Sequence, residues 1–532
     1  MTDGERQRDE HAEIGRSAGK IGAATFVSHI FGMVRDVVFA FLFGTSLYAD
    51  AFNLAFSMPQ FFRRLFGEAV MNAAFIPVFT QHRIAKGERE AWRFGSNALT
   101  VLSILLVLSV VAALLFAPAV VRLYAAGWRG EPERIDAAVR LTRILVPYLL
   151  FIGPAVLVMG ILNGLRHFTV PALSPVVWNV GIIAFALVAW KAPAEGTARI
   201  DLFCAGVVVG SLGQLLVQIP TLRSKGFRFT PHVDLRSPEL RAVGKLMLPG
   251  VVGLAVVQVN TLVDTFFATL LSEGSVTALR LGNRVMLLPL AIFATAIASA
   301  SLPSLSAQVA LDGVERAKRT LAYSLRMLFF LLIPASVGLM ALRRPIIQLL
   351  FVRGAFDAGR SLDLTSTALL LYSAGLFAYG GVKGVSQVFF SMRDTRTPVV
   401  AGGIALAANI LFDFLLYRPL GVGGLALATA LAGAANFFLL LGALVRRTGP
   451  LGGHLLSSSF RITLSALGMG AALWLVDGRL RPTVPTLPAQ IVHVAGTILI
   501  GGGVYVGLAA LLCRRELADV KAALLRRPLP PR

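Results

Sequence analysis

The chain has 532 residues, 56% of them hydrophobic and 15% charged, with a formal net charge of +22. Soluble domains carry about 25% charged residues, and here apolar runs of 18 or more residues recur along the whole length, which excludes an ordinary soluble domain. Those runs are continuous rather than alternating, which argues against a β-barrel and predicts an all-α polytopic membrane protein. A net charge of this size in a soluble protein would suggest nucleic acid, but no basic run is interleaved with aromatics on a soluble module. Lys/Arg-rich loops on the inner side of a membrane account for it, and no nucleic-acid partner is expected. Cys204 and Cys513 lie in apolar stretches, without disulfide or metal-ligand spacing. Residues 1–20 are charged and lack an apolar core segment, so no cleavable signal peptide is expected.

Fourteen transmembrane spans are predicted in chain order. They cover 21–44, 48–82, 94–118, 138–165, 171–190, 201–222, 246–271, 275–309, 322–342, 363–391, 397–417, 422–445, 459–476 and 489–513. Between the ninth and tenth, RRPIIQLLFVRGAFDAGR (343–360) has an apolar and a basic face; it fits an interfacial helix or a structured loop. With the N-terminus inside, the inner segments collect 30 of the 50 basic residues and the outer segments 13, which predicts that both termini are cytoplasmic.

The stretch from Ser28 to Pro77 carries Arg35, Asp36, Asp50, Arg63, Arg64 and Glu68 within two apolar helices. Ionised groups at membrane depth cost about 2.5–3.5 kcal/mol each on insertion scales. Six of them need a water-filled cavity, partners or a charged ligand. Ser28, Gly32 and Arg35 fall on one helical face, with Asp36 pointing elsewhere, so that Arg35 and Asp36 need not neutralise each other. His29 shares a face with Asp36. Arg35 lies about 22 Å along the helix from Lys20, too deep to snorkel comfortably. It either pairs with Asp50 or Glu68 or faces a ligand. Pro59 should kink the second span, and Arg63 and Arg64 follow one turn later. Arg64 and Glu68, at i and i+4, can pair, leaving Arg63 the freer guanidinium.

Landmarks recur at a nearly constant offset. Pro77 and Gly87 return as Pro303 and Gly313 after 226 residues; Arg166 and Pro171 return as Arg393 and Pro398 after 227; Gly44 and Pro59 return as Gly274 and Pro289 after 230. The offset covers six spans, so two six-helix lobes are predicted, related by a pseudo-two-fold axis along the membrane normal. The expected organisation is an N-terminal tail (1–20), an N-lobe (21–225), a cytoplasmic linker (226–245), a C-lobe (246–447), an appended helix pair (455–515) and a basic tail (516–532). Arg284 in the eighth span, also one turn from a proline, is then placed to converge with Arg35 and Arg63 between the lobes. The planar fork of arginine suits a phosphate or diphosphate. Lys383 is a fourth candidate, as readily a packed or snorkelling residue. In the second lobe Asp264, Asn409, Asp413 and Thr429 place oxygen donors in otherwise apolar helices. They suit a small monovalent cation or a proton, or equally a set of protonated acids paired with Asn and Thr.

The segments SHIFGMVRD (28–36), ADAFNLAF (49–56), PQFFRRLFGEAVMNAAFIPVF (59–79), GNRVMLLP (282–289), LPSLS (302–306) and SMRDTRTP (391–398) resemble the MurJ (MviN) family of lipid II flippases. That family lies in the multidrug/oligosaccharidyl-lipid/polysaccharide exporter superfamily. The resemblance covers nearly the whole chain. It implies a bacterial cytoplasmic-membrane protein that moves lipid II, the undecaprenyl-diphosphate-linked peptidoglycan precursor, from the inner to the outer leaflet. It places the family's cavity arginines at Arg35, Arg63 and Arg284, beside Ser28, and its acidic partners at Asp36, Asp50 and Glu68. It makes the last two spans a groove for the lipid tail. It implies sodium at Asp264, Asn409, Asp413 and Thr429, with a main-chain oxygen near Leu425, as a possible coupling ion; no other cofactor is implied. The family often has arginine where His29 stands, which exchanges a permanent charge for a pH-dependent one. Its Glu-Gly-Ala-Phe turn is here Glu68-Ala69-Val70-Met71, and Asn283 stands where some relatives have an acid.

Three other readings stay open. An exporter of drugs or of another polysaccharide-linked lipid would share the core, although cationic drugs call for acids in the cavity. A membrane glycosyltransferase would need acids or a metal motif at a helix end; the loops are short and no nucleophile–base constellation is present, so no enzymatic activity is expected. A scaffold would not need buried arginines at matching depths.

Overall fold

The computed structural model describes residues 24, 26–64, 74–192, 197–294, 297, 301, 305, 307–309, 314–452, 454–480 and 486–524. Glu68, Pro303 and Gly313 lie outside them. Helices dominate the described residues and no strand occurs among them. In order they are α1 (Phe26–Phe43), α2 (Leu47–Arg64), α3 (Ile76–Lys86), α4 (Glu88–Tyr124), α5 (Pro132–Leu145), α6 (Leu149–Gly164), α7 (Thr169–Lys191), α8 (Ala198–Leu216), α9 (Ile219–Ser224) and α10 (Pro238–Thr269). They continue as α11 (Ser275–Pro289), α12 (Val314–Ala341), α13 (Arg343–Phe351), α14 (Arg360–Ser373), α15 (Leu376–Ser391), α16 (Arg396–Thr448), α17 (His454–Leu480), α18 (Leu487–Leu512) and α19 (Arg514–Leu524).

Among the described residues, ten helices are long and apolar enough to cross a membrane, or eleven if α14 and α15, bent by 42°, form one span. The fourteen expected from the sequence are not reached on length and apolarity alone. Two reasons are visible. Helix α2 carries Asp50, Arg63 and Arg64 within its 18 residues. Helix α16 is 53 residues long but breaks at Gly421, whose φ of 54° and ψ of −133° are non-helical. A straight helix of that length would run about 80 Å, far beyond the roughly 30 Å apolar core of a bilayer. A Cβ at Gly424 would meet the Leu416 carbonyl oxygen at 2.0 Å, so the two arms of α16 close tightly around the break.

The chain divides into two compact units, Met1–Gln258 and Val259–Arg532, and the division falls within α10. The 226–245 segment, expected as a linker, packs within the first unit. Phe227 is buried edge-on to Trp92 at 5.5 Å. The Asn97 side chain bonds both the carbonyl oxygen (2.9 Å) and the backbone N–H (2.8 Å) of Asp234.

Within the first unit, α7 and α8 meet along a glycine seam. A Cβ at Gly210 would sit 2.6 Å from the Trp178 carbonyl oxygen, and one at Gly181 would sit 2.7 Å from Gly210 Cα. Where lipid removes the hydrophobic drive between helices, this close backbone approach holds the pair. It also presents Trp178 and Asn179 at a defined height, with Trp178 Nε1 donating to the Val207 carbonyl at 3.2 Å. In the second unit, Phe329, Phe377 and Phe437 pack edge to face. Tyr505 of α18 donates to the Phe330 carbonyl at 2.8 Å, fastening that helix to α12.

Each unit carries one copy of two repeated landmarks. Arg166 and Arg393 both adopt φ = 58°, although neither is glycine. Each closes a helix by the same pair of bonds: His167 N to Leu162 O (2.9 Å) with Arg166 N to Asn163 O (3.0 Å), and Asp394 N to Phe389 O (2.8 Å) with Arg393 N to Phe390 O (3.0 Å). Gly44 and Gly274 both have positive φ, at 55° and 87°. The matching helix ends at Arg166 and Arg393, and a positive φ at both Gly44 and Gly274, recur at the offsets seen in the sequence.

Candidate functional site

The charged stretch of α1 and α2 faces an aromatic wall in the first unit. Tyr148 and Trp178 stack at 6.3 Å, and Phe56 joins them at 5.7 and 6.4 Å. The Arg35 guanidinium lies 5.5 Å from the Trp178 ring. Arg63 and Arg64 lie close to the Tyr148 hydroxyl. The wall thus collects cations from both helices, since a ring face attracts positive charge while its apolar body keeps water out.

Arg35 does not behave as its helical position suggests. Its Nε and Nη2 donate to Asp36 Oδ1 at 3.1 and 2.7 Å, and its Nη1 donates to Asn179 Oδ1 at 3.2 Å. Asp36 was expected to point elsewhere, with Arg35 either pairing with Asp50 or Glu68 or facing a ligand; Glu68 lies outside the described residues. The correction has a physical cause. The flexible stem lets the guanidinium fold back along the helix, and in a site where both side chains are little exposed (13% and 11%) neither charge can be left unpaired. These bonds use three of the five N–H donors of Arg35, leaving two for a ligand.

Asp50 pairs with another arginine of the first unit. It accepts from Arg134 Nη2 at 3.0 Å, with the two side chains 1% and 2% exposed. Arg134 also bonds Glu131 at 2.8 Å and stacks over Trp128 at 4.5 Å. The sequence reading placed Arg134 in a loop and missed it; the proline at 132, which starts α5, was the available signal. Arg64 donates to Gln258 Oε1 at 3.3 Å, and its expected partner Glu68 lies outside the described residues. Arg63 is part-buried and its Nε has no hydrogen-bond partner among the described residues. Ser28 is part-buried and His29 exposed. Arg284, on α11 of the second unit, is part-buried, and Lys383 is exposed.

The oxygen cluster predicted in the second unit does assemble. Asn409 Nδ2 donates to Asp264 Oδ1 and to Asp413 Oδ2, each at 2.7 Å. Thr429 Oγ1 lies 3.3 Å from Asp264 Oδ2 and 2.9 Å from the Leu425 carbonyl oxygen. The break at Gly421 makes this possible, because it folds the arm bearing Asn409 and Asp413 back beside the arm bearing Leu425 and Thr429. Two neighbours complete the surroundings: Asn260 Nδ2 approaches Asp264 Oδ2 at 3.4 Å, and the Tyr379 hydroxyl donates to the Thr429 carbonyl at 2.9 Å. Asn409 Oδ1 and Asp413 Oδ1 are buried with no hydrogen-bond donor among the described residues. Orphaned buried acceptors are costly, and a cation would satisfy both. No group of three or more His, Cys, Asp or Glu placed to hold one metal ion occurs among the described residues. Two carboxylates with neutral oxygens suit a hard ion of low charge rather than a transition metal.

Outside the spans, Glu239 receives the Ser237 hydroxyl at 2.7 Å, Lys86 at 3.0 Å and His82 at 3.2 Å. Burial alone would raise its carboxyl, but the Ser237 hydroxyl, its own backbone N–H, Lys86 and His82 outweigh burial and hold it at about 2. Asp394, beside the left-handed Arg393, is held at about 2 by the Thr397 hydroxyl and backbone N–H, against burial and with help from Arg447.

Residues 39–486 match the family model described as lipid II flippase MurJ. The chain is 33% identical over 523 residues to a protein of Vibrio cholerae named "Probable lipid II flippase MurJ", covering 94% of this chain and 97% of that one. A Rhizobium meliloti protein of the same name is 31% identical over 516 residues, covering 95% of each. A solved structure titled "Lipid II flippase MurJ, inward closed conformation" superposes with a TM-score of 0.78 at 28% identity, covering 93% of this chain and 98% of that one. An inward-facing multidrug resistance MATE transporter of the MOP superfamily shares the fold, with a TM-score of 0.62 at 16% identity over 80% of this chain.

Proposed function

The chain belongs to the MurJ family of lipid II flippases, and on that premise we propose that it carries lipid II from the inner to the outer leaflet of the bacterial cytoplasmic membrane by alternating access. It is a multi-pass membrane transporter by family and by its apolar helices. The observation that carries the reading is the pair Arg35 and Arg63 on the aromatic wall, part-buried yet keeping donors for an anion. Their guanidinium forks bind the diphosphate of the head group. Asp36 and Asn179 hold Arg35 in position, while Trp178 and Tyr148 keep the site dry. Arg284, part-buried on α11 of the second unit, is a further candidate for an anion-binding cation. Asp50 acts with Arg134 to fix α2 rather than to gate. No covalent chemistry is required. Both termini lie in the cytoplasm, and α17 and α18 accompany the lipid tail.

A sodium ion fits the cluster of Asp264, Asn409, Asp413, Thr429 and the Leu425 carbonyl, where it would neutralise paired carboxylates. Its influence on the transport equilibrium is limited to its differential affinity for the two conformations.

The test is a leaflet-specific assay of the peptidoglycan precursor in cells whose own copy is depleted. Arg63→Ala and Arg284→Ala variants should insert normally, fail to translocate the precursor and fail to support growth. Normal growth on either variant alone would sink the cavity assignment.

A further inference from the structure

A basic cavity lies far along the chain from the arginines above. It has a volume of about 430 Å³ and sits where α12 and α17 end and α13 begins, lined by Arg343, Arg344, Trp474, Asp477 and Arg479. Three arginines and one aspartate give it a formal charge of +2, and the aspartate is turned away to a histidine. Asp477 Oδ1 lies 2.9 Å from His493 Nε2, with side chains 8% and 6% exposed. Arg343 bonds the Met340 carbonyl at 3.0 Å, a neutral acceptor that leaves its charge unspent. Arg344 pairs with Asp363, but both side chains are about half exposed, and such pairs are weak. Arg479 makes no hydrogen bond or ion pair with the described residues.

The surroundings say what kind of anion would enter. Trp474 is 74% exposed and Leu475 54% exposed, so the rim is apolar and outward-facing. An indole beside arginines at the ends of apolar helices is the composition of a membrane interface, not of an aqueous pocket. With cytoplasmic termini, these helix ends lie on the outer side, where the charge bias of membrane proteins disfavours arginine. Guanidinium groups gathered at a helix end, beside an interfacial indole, are suited to the phosphate of a lipid head group.

We propose that this cavity binds the phosphate of an anionic phospholipid, with Arg343 and Arg479 as its charge partners and Trp474 against the acyl boundary. The site is separate from the one that carries the head group of the transported lipid, and it couples the end of α17 to α12 and α13 through a lipid.

Thermal unfolding of the full-length protein in neutral detergent tests this, titrated with phosphatidylglycerol, with phosphatidylcholine and with inorganic phosphate. Phosphatidylglycerol should raise the melting temperature at concentrations where the other two do not. R343Q/R479Q should weaken that response by about tenfold or more, whereas the charge-matched R360Q/R418Q should keep it. Should the double variant be aggregated, R479Q, at an exposed helix end, must weaken the response by itself. An equal response to phosphatidylcholine, an unchanged response in the arginine variants, or full reproduction by inorganic phosphate overturns the proposal.

Discussion

The buried pair Asp50–Arg134 allows a structural role to be separated from a gating one. Its side chains are 1% and 2% exposed, so removing either carboxylate or guanidinium leaves the other charged and buried. Breaking such a pair costs about 3–5 kcal/mol. Glu131 remains as a second partner for Arg134 but is itself 52% exposed, which places Asp50→Ala toward the lower end of that range. Arg134→Ala loses in addition the contact with Trp128, worth about 0.5–2 kcal/mol. Replacing both with apolar residues, Asp50→Leu with Arg134→Met, removes the unpaired charge and should cost well under the sum of the single changes. The exposed pair Arg140–Asp201, 37% and 31% exposed, is the control; Asp201→Asn should cost about 1 kcal/mol or less. The assay is thermal unfolding of purified protein in detergent, arranged as a double-mutant cycle. Additive single changes, or an Asp50→Ala no worse than Asp201→Asn, would refute the assignment.

Two further outcomes are expected. Sodium should raise the melting temperature of the parent protein and leave that of Asp413→Ala unchanged; a parent that never responds to sodium would remove the cation assignment. The Glu239 carboxyl, held at about 2 against an ordinary value near 4.3, contributes stability that is fully present above about pH 4.3. It is lost as pH falls toward about 2. Glu239→Gln should therefore lie below the parent at pH 6 and converge with it in acid, and a constant gap across that window would falsify the assignment.

Much of this protein was legible before any coordinates. Continuous apolar runs dictate helices, because lipid offers no partner for backbone N–H and C=O groups. The repeat was visible as Arg166 with Arg393 and Gly44 with Gly274, because a helix end that needs a left-handed residue constrains local sequence in both copies. The oxygen donors at Asp264, Asn409, Asp413 and Thr429 stood out because polar atoms are rare in such helices. The tertiary structure decided which charge meets which. Asp50 and Arg134 are 84 residues apart, and Arg35 and Asn179 are 144 apart. Helical geometry orders neighbours only within about one turn. Beyond that, the partner of a buried charge is set by which helices pack together: α2 with α5 for Asp50 and Arg134, the glycine seam of α7 and α8 for the position of Asn179, and the break at Gly421 for the oxygen cluster.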